Sequence, residues 1–237
     1  MHYAELHPQD LANAFSQQSP AVVPIGALEW HGSHLPLGTD LLVAEAFAIR
    51  LAKLLGGILL PAYVTPTSTL PHPFSLQLGT EGYRTAMDDT LGTLARAGAK
   101  TIAVVTGHYS PGHEVELYEA AMRVMDDNPG VKVFAAAPLE PVGDASLLDH
   151  AGRVETSLMM AIRPDLVRLE ALNEHEPAVL GEDPRRATPE AGESLLTQGL
   201  AAWRLWMESD SRALEQWYGK RFDAYQSYVD VFYKGPR

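Results

Sequence analysis

Short apolar runs alternate with segments of helical period along most of this chain, and that alternation restricts the possible folds more than any other feature. Residues 21–25, 58–62, 101–105 and 131–137 read as strands, apolar enough to be buried on both faces. Helical periodicity predicts helices over 8–18, 41–55, 84–97 and 114–125, another opening in the stretch 150–157, and a helix-rich tail over 194–233. Strands feeding helices in this order predict an α/β fold, a doubly wound, mainly parallel sheet flanked by helices. No repeat, low-complexity tract or linker interrupts the 237 residues, which are expected to form a single domain with a helix-rich C-terminal tail.

Such a sheet places its ligands in the loops that follow strands. Two of those loops carry reactive side chains. After 21–25 come Glu29, His31, His34 and Asp40, spaced by Gly26, Gly32 and Gly38 and stiffened by Pro36. After 101–105 comes Thr106-Gly107-His108-Tyr109. A carboxylate and an imidazole two residues apart on an extended or turning segment can converge on one metal ion. The chain has no cysteine, so a metal would be bound by nitrogen and oxygen, the donor set that suits Zn²⁺, Mn²⁺ or Fe²⁺. Taken alone, Asp40 would serve equally well as the cap of the helix after it, and His31 and His108 as ordinary loop histidines.

Three segments together resolve that ambiguity by resemblance. Glu29-Trp-His31-Gly-Ser-His34-Leu-Pro36 followed by Thr39-Asp40 resembles the signature of the creatininase (creatinine amidohydrolase) family, usually Glu-Gln/Trp-His-Gly-x-His-Leu-Pro-x-x-Thr-Asp. Thr106-Gly107-His108 is similar to the family's Asn/Thr-Gly-His, and the stretch from His150 to Ser157 to its His-Ala/Gly-Gly-x-x-Glu-Thr-Ser. The resemblance runs from about residue 24 to 193 and implies a metal-dependent hydrolase acting on C–N bonds other than peptide bonds. It implies one or two divalent ions per chain bound by Glu29, His31, Asp40 and His108, with Asp40 bridging through its two oxygens. His34 is expected to support the ligand loop rather than to bind. His150 corresponds to the histidine that protonates the leaving group, a role that suits an imidazole titrating near neutrality. Glu155 is expected in the site, either as a ligand or as an anchor behind one. Tyr109 resembles a tyrosine that creatininase sets against its substrate, with packing as the other reading.

The chain also departs from the pattern. Ser110 stands where creatininase has a glutamate that completes its second metal site. Glu155 would compensate for that loss as a ligand; otherwise the second ion is weakly held, or the protein is a catalytically silent metal-binding or structural member of the fold. No tryptophan lies between Trp30 and Trp203, and Ser146 and Leu147 replace a substrate-clamping Trp-Asp, which speaks against creatinine itself. Phosphoester chemistry is disfavoured, because no Arg or Lys cluster adjoins the motifs. The net charge of −12 argues against a nucleic-acid partner. With no apolar run approaching about 18 residues and no basic start before an apolar core, the expectation is a cytoplasmic protein with neither a membrane span nor a leader. The partners expected are a small-molecule amide and, by resemblance, further copies of the chain in a homo-oligomer such as a hexamer.

Overall fold

The computed structural model describes residues 1–174 and 176–233, with side chains described as far as Tyr225. The strands at its centre are β1 (Ala21–Gly26), β2 (Ile58–Leu59), β3 (Tyr63–Val64), β4 (Thr101–Thr106) and β5 (Lys132–Ala136). They form a parallel sheet in the order β2-β1-β4-β5, with β3 also paired to β1. Among the described residues seven α-helices surround it: α1 (Pro8–Ser16), α2 (Thr39–Leu55), α3 (Thr80–Arg96), α4 (Pro111–Asp127), α5 (Arg153–Ile162), α6 (Pro189–Trp206) and α7 (Ser211–Tyr233). Helix α2 lies against β1 and β4 and packs with α5 and α6, while α3 packs on α4 and α4 on β5 and α7. This is the doubly wound α/β arrangement expected from the alternation. No helix among the described residues is long and apolar enough to cross a membrane.

The strand expected over 58–62 ends at Leu59 and a separate short strand follows at 63–64, and a proline in the neighbouring strand explains why. Along β1, Val22 accepts from Leu60 N and Gly26 from Thr65 N, so the even-numbered residues face β2 and β3. Pro24 sits between them and has no N–H to offer on that side. The pairing therefore lapses there: Val22 aligns with Leu59, and regular register resumes only at Ile25 with Tyr63. On the other edge β1 pairs with β4 without interruption from Ala21 through Ile25.

Every residue of β1 is buried, as a strand covered on both faces requires. The tail is an integral part of the core. Trp203 is fully buried on α6 and donates its indole N–H to the Ala137 carbonyl (3.2 Å). Tyr218 on α7 donates its hydroxyl to the Val133 carbonyl (2.7 Å) and accepts from Ala135 N (3.0 Å), which fixes α7 beside β5.

Because β2 and β4 lie on opposite sides of β1, the winding direction reverses between β1 and β4. In open α/β sheets that reversal opens a crevice at the C-terminal ends of the two strands. The loops leaving β1 and β4 are the two that carry the acid and histidine motifs.

Candidate metal centre

Asp40 is the residue on which the crevice converges. It lies in the first turn of α2, but it does not cap that helix: the N-cap is Gly38, and no side-chain cap bond is made. Its side chain turns inward instead, Oδ1 2.8 Å from His31 Nε2 and Oδ2 3.2 Å from His108 Nδ1. Two glycines allow it to come so close. A Cβ at Gly26 would lie 2.6 Å from Leu41 N, and one at Gly107 only 1.9 Å from the Asp40 carbonyl oxygen. The start of α2 therefore rests directly on the ends of β1 and β4.

Around Asp40 the donor atoms form two groups of three that share it. One joins Glu29, Asp40 and His108; the other joins His31, Asp40 and Glu155, with the atoms of each group within 4.8 Å of one another. Glu29 Oε2 is 3.0 Å from His108 Nδ1, and Glu155 Oε2 is 3.5 Å from His31 Nε2. A third combination, Glu29 with His31 and His150, meets the same criterion.

The fit to a cation can be judged from what these atoms lack. Glu29 Oε2, His31 Nε2 and Asp40 Oδ2 are buried with no hydrogen-bond partner, although charged atoms lie close by. Unpaired polar atoms are costly in an interior, and the usual reason for several in one place is a ligand they were built to hold. The groups behind them prepare the ligand atoms. His31 Nδ1 lies 3.0 Å from the Glu29 carbonyl and His108 Nε2 lies 2.9 Å from the Thr67 carbonyl. A carbonyl only accepts, so each of those nitrogens carries the proton and the opposite nitrogen presents its lone pair to the centre. Glu29 Oε1 accepts from Leu70 N, tying the ligand to the loop over 65–80.

The charge balance agrees. Burial alone would strip the proton from His31, yet the carboxylates of Asp40 and Glu155 outweigh it and push the imidazole up to about 10. For His108 the carboxylates of Asp40 and Glu29 likewise outweigh burial, again to about 10. Burial works against the Asp40 carboxylate too, but His31 and His108 hold it below the usual carboxylate range. A cluster this acidic demands positive charge, and a divalent cation supplies it by displacing the imidazolium protons. The centre fits a divalent metal.

Glu155 reaches the centre from α5, held by three neighbours. Its Oε2 accepts from Ala151 N (2.7 Å), a residue forced to φ 52°. Its Oε1 accepts from the Tyr109 hydroxyl (2.6 Å), which also lies against the Asp149 carbonyl. Asp149, directly before His150, accepts from Val154 N (2.7 Å) and Glu155 N (3.0 Å), so it ties the start of α5 to the site. Sequence reasoning passed over Asp149, although its place beside His150 was a usable signal. Ser110 Oγ contributes no carboxylate; it lies 3.0 Å from His108 Nε2, behind that ligand.

His150 is half-buried, its ring 4.2 Å from that of His31 and its Nε2 3.1 Å from the Trp30 carbonyl. It precedes α5 rather than opening it, and its backbone bridges Leu180 in both directions (2.9 and 2.8 Å). The polar loop after Leu180 is thereby drawn to the site. His34 lies 3.0 Å from the Thr156 hydroxyl and joins none of the ligand groups; burial, the main influence, lowers it to about 4 and keeps it neutral. Glu114, in the first turn of α4, is buried, joins none of the ligand groups and accepts from the Tyr118 hydroxyl (3.0 Å).

Tyr109 lines the cavity in front of the centre, but its hydroxyl is engaged with Glu155. Replacing it with phenylalanine is therefore expected to weaken binding at the His31–Asp40–Glu155 group by about 10- to 100-fold, the usual effect of losing a partner behind a ligand. Competitive titration with a chelating dye would measure it. An unchanged affinity together with a raised KM would instead make Tyr109 a substrate contact.

The chain as a whole matches known proteins. The family model Creatininase, described as creatinine amidohydrolase, matches residues 4–205. The creatinine amidohydrolase of Pseudomonas putida is 29% identical over 205 residues, spanning 72% of this chain and 76% of its own length. A mycofactocin precursor peptide peptidase of Mycobacterium ulcerans (strain Agy99) is 29% identical over 189 residues, spanning 73% of this chain and 72% of its own. Among solved structures, a creatinine amidohydrolase (creatininase) superposes with a TM-score of 0.75 at 22% identity, covering 85% of this chain and 94% of that one. A manganese form, "Creatininase Mn", superposes with 0.71 at 25% identity, covering 85% and 95%.

Proposed function

We propose, from the premise that this chain belongs to the creatininase family, that it is an amidohydrolase cleaving a non-peptide C–N amide bond, cyclic or linear, with water activated at a dinuclear centre. The observation that carries this reading is the pair of donor groups sharing Asp40, with orphaned atoms of Glu29, His31 and Asp40 turned into them. On this reading Glu29, His108 and Asp40 would hold one ion, and His31, Glu155 and Asp40 the other, with zinc, manganese or iron suited to the nitrogen and oxygen donors. Glu155 then fills the corner that Ser110 leaves without a carboxylate.

Bound divalent metal supplies a water acidic enough to deliver hydroxide near neutral pH, and a polarised amide carbonyl. The side chains do the rest. Asp40 fixes the spacing of the two halves, because both its oxygens are used. Tyr109 and Ala151 N hold Glu155 in register. His150 Nε2 faces the Trp30 carbonyl, which only accepts, so that nitrogen carries a proton. In turnover the ring takes up on Nδ1 the proton released as water adds to the amide carbonyl and passes its Nε2 proton to the departing nitrogen as the C–N bond breaks, so the imidazole ends neutral and the leaving group departs as a neutral amine.

The test is elemental analysis of the purified protein together with hydrolysis of an amide panel that includes creatinine, N-formyl amines and short peptides. About two ions per chain and turnover of a non-peptide amide are expected. His150→Ala should keep the metal and lower kcat by about 10²- to 10⁴-fold, the usual contribution of a positioned general acid. A fully loaded protein that cleaves nothing in the panel would favour the catalytically silent alternative, and cleavage of peptides alone would overturn the non-peptide assignment.

A further inference from the structure

The cavity in front of the centre has a volume of about 820 Å³ and is walled in part by Tyr225. That residue belongs to α7, beyond the stretch 4–205 matched by the family model. The helix is held firmly enough to form a wall: besides the Tyr218 bonds to β5, Arg221 Nη2 lies 2.9 Å from the buried Glu140 Oε1.

The charges around the cavity narrow what can occupy it. None of the described residues lining it is Lys or Arg. The guanidinium of Arg84, just outside, is held bidentately by Glu116 (2.7 and 2.8 Å), so a carboxylate or phosphate on the substrate would find no cation to pair with. A cationic substituent fares no better. Glu29, Asp40 and Glu155 face the metal positions, Glu116 is paired with Arg84, and Asp149 accepts two N–H groups of α5. What remains on the wall is uncharged: beside the hydroxyls of Ser68, Thr69, Thr80 and Ser110 it is largely apolar, with Leu70, Pro71, Val115, Leu148, Leu180 and Tyr225.

From this we infer that α7 is a specificity element of the site, with Tyr225 and the neighbouring leucines selecting amides that carry an uncharged apolar substituent, aryl or branched alkyl. The inference rests on the metal-centre reading above, and the test separates the two. Hydroxamates bind metal through one invariant group, so acetohydroxamate reports the centre alone and benzohydroxamate reports the centre plus the wall. With the metal-loaded full chain, calorimetry should give a benzohydroxamate Kd at least about tenfold lower than that of acetohydroxamate, in line with burying an aromatic ring against another. Tyr225→Ala should remove most of that preference and leave acetohydroxamate binding unchanged, while Tyr225→Phe should retain the preference. Leu180→Lys, at a side chain that is 57% exposed, should shift the preference from benzohydroxamate to 4-carboxybenzohydroxamate. Wild-type protein that binds neither simple hydroxamate would overturn the metal-centre reading and the wall with it. Acetohydroxamate binding with no aryl preference, or a preference untouched by Tyr225→Ala and Leu180→Lys, would overturn the wall alone.

Discussion

Asp40→Ala is expected to abolish metal binding in both halves of the centre and to lower hydrolysis by at least about 10³-fold, since the acidified water and the polarised carbonyl are lost together. No other single ligand should do this. Of the two groups around Asp40, His31 serves the one with Glu155 and His108 the one with Glu29, whereas Asp40 gives one oxygen to each. His31→Ala and His108→Ala should therefore each retain about one ion per chain. The fold should survive Asp40→Ala. The side chain makes no helix-capping bond, and His31 and His108, which it holds protonated in the metal-free protein, can shed those protons once it is gone. Elemental analysis of the three variants, beside thermal unfolding in a chelator, separates loss of metal from loss of structure. One ion retained in Asp40→Ala would show that the halves do not share that residue.

Gly107→Ala should damage fold and site at once. The added Cβ would meet the Asp40 carbonyl oxygen at 1.9 Å and the Asp40 Cα at 2.8 Å. Both are backbone atoms of the first turn of α2, so no rotamer change relieves the contact. Overpacking of a fitted interior typically costs about 1–3 kcal/mol and at times more, and a backbone collision belongs at or above the upper end. To escape it, α2 must move away from the ends of β1 and β4, taking Asp40 from His31 and His108. Urea unfolding should show a markedly lower midpoint, and the surviving folded protein should bind metal poorly. Gly79→Ala is the matched control: a Cβ there meets nothing within 4 Å, and the backbone φ of −64° suits any residue. As the N-cap of α3, Gly79 should lose no more than about 1 kcal/mol on replacement by alanine, well short of a backbone collision. A Gly107→Ala protein as stable as the control would mean that helix and strand ends are not in the contact described.

Much of this was legible along the chain because it depends on local order. Apolar runs as short as β1 and β4 declare themselves as buried strands, and alternation with helices leaves few topologies. The acid and histidine motifs lie within a few residues of strand ends, so their placement in the crevice follows from the fold. Contacts between distant segments were less legible. Nothing local says that Pro24 interrupts the partner strand, since the effect depends on which side of β1 its missing N–H faces. The reading of Asp40 as a helix cap could be set aside only once both its oxygens were seen facing imidazoles from different loops. Glu155 had two readings, and its distance of 3.5 Å from His31 Nε2 is a property of α5 packed against α2.

The sequence by itself determined the fold class, the family, and the identity of the acids and imidazoles that gather at the site, because hydrophobic period and side-chain chemistry are fixed residue by residue. Only the tertiary structure decided how closely those side chains gather in two groups around Asp40, that Tyr109 holds Glu155, and that Tyr225 of the last helix reaches the same cavity. Those are distances between atoms brought together by the packing of separate elements, and a pattern read along one chain carries no information about them.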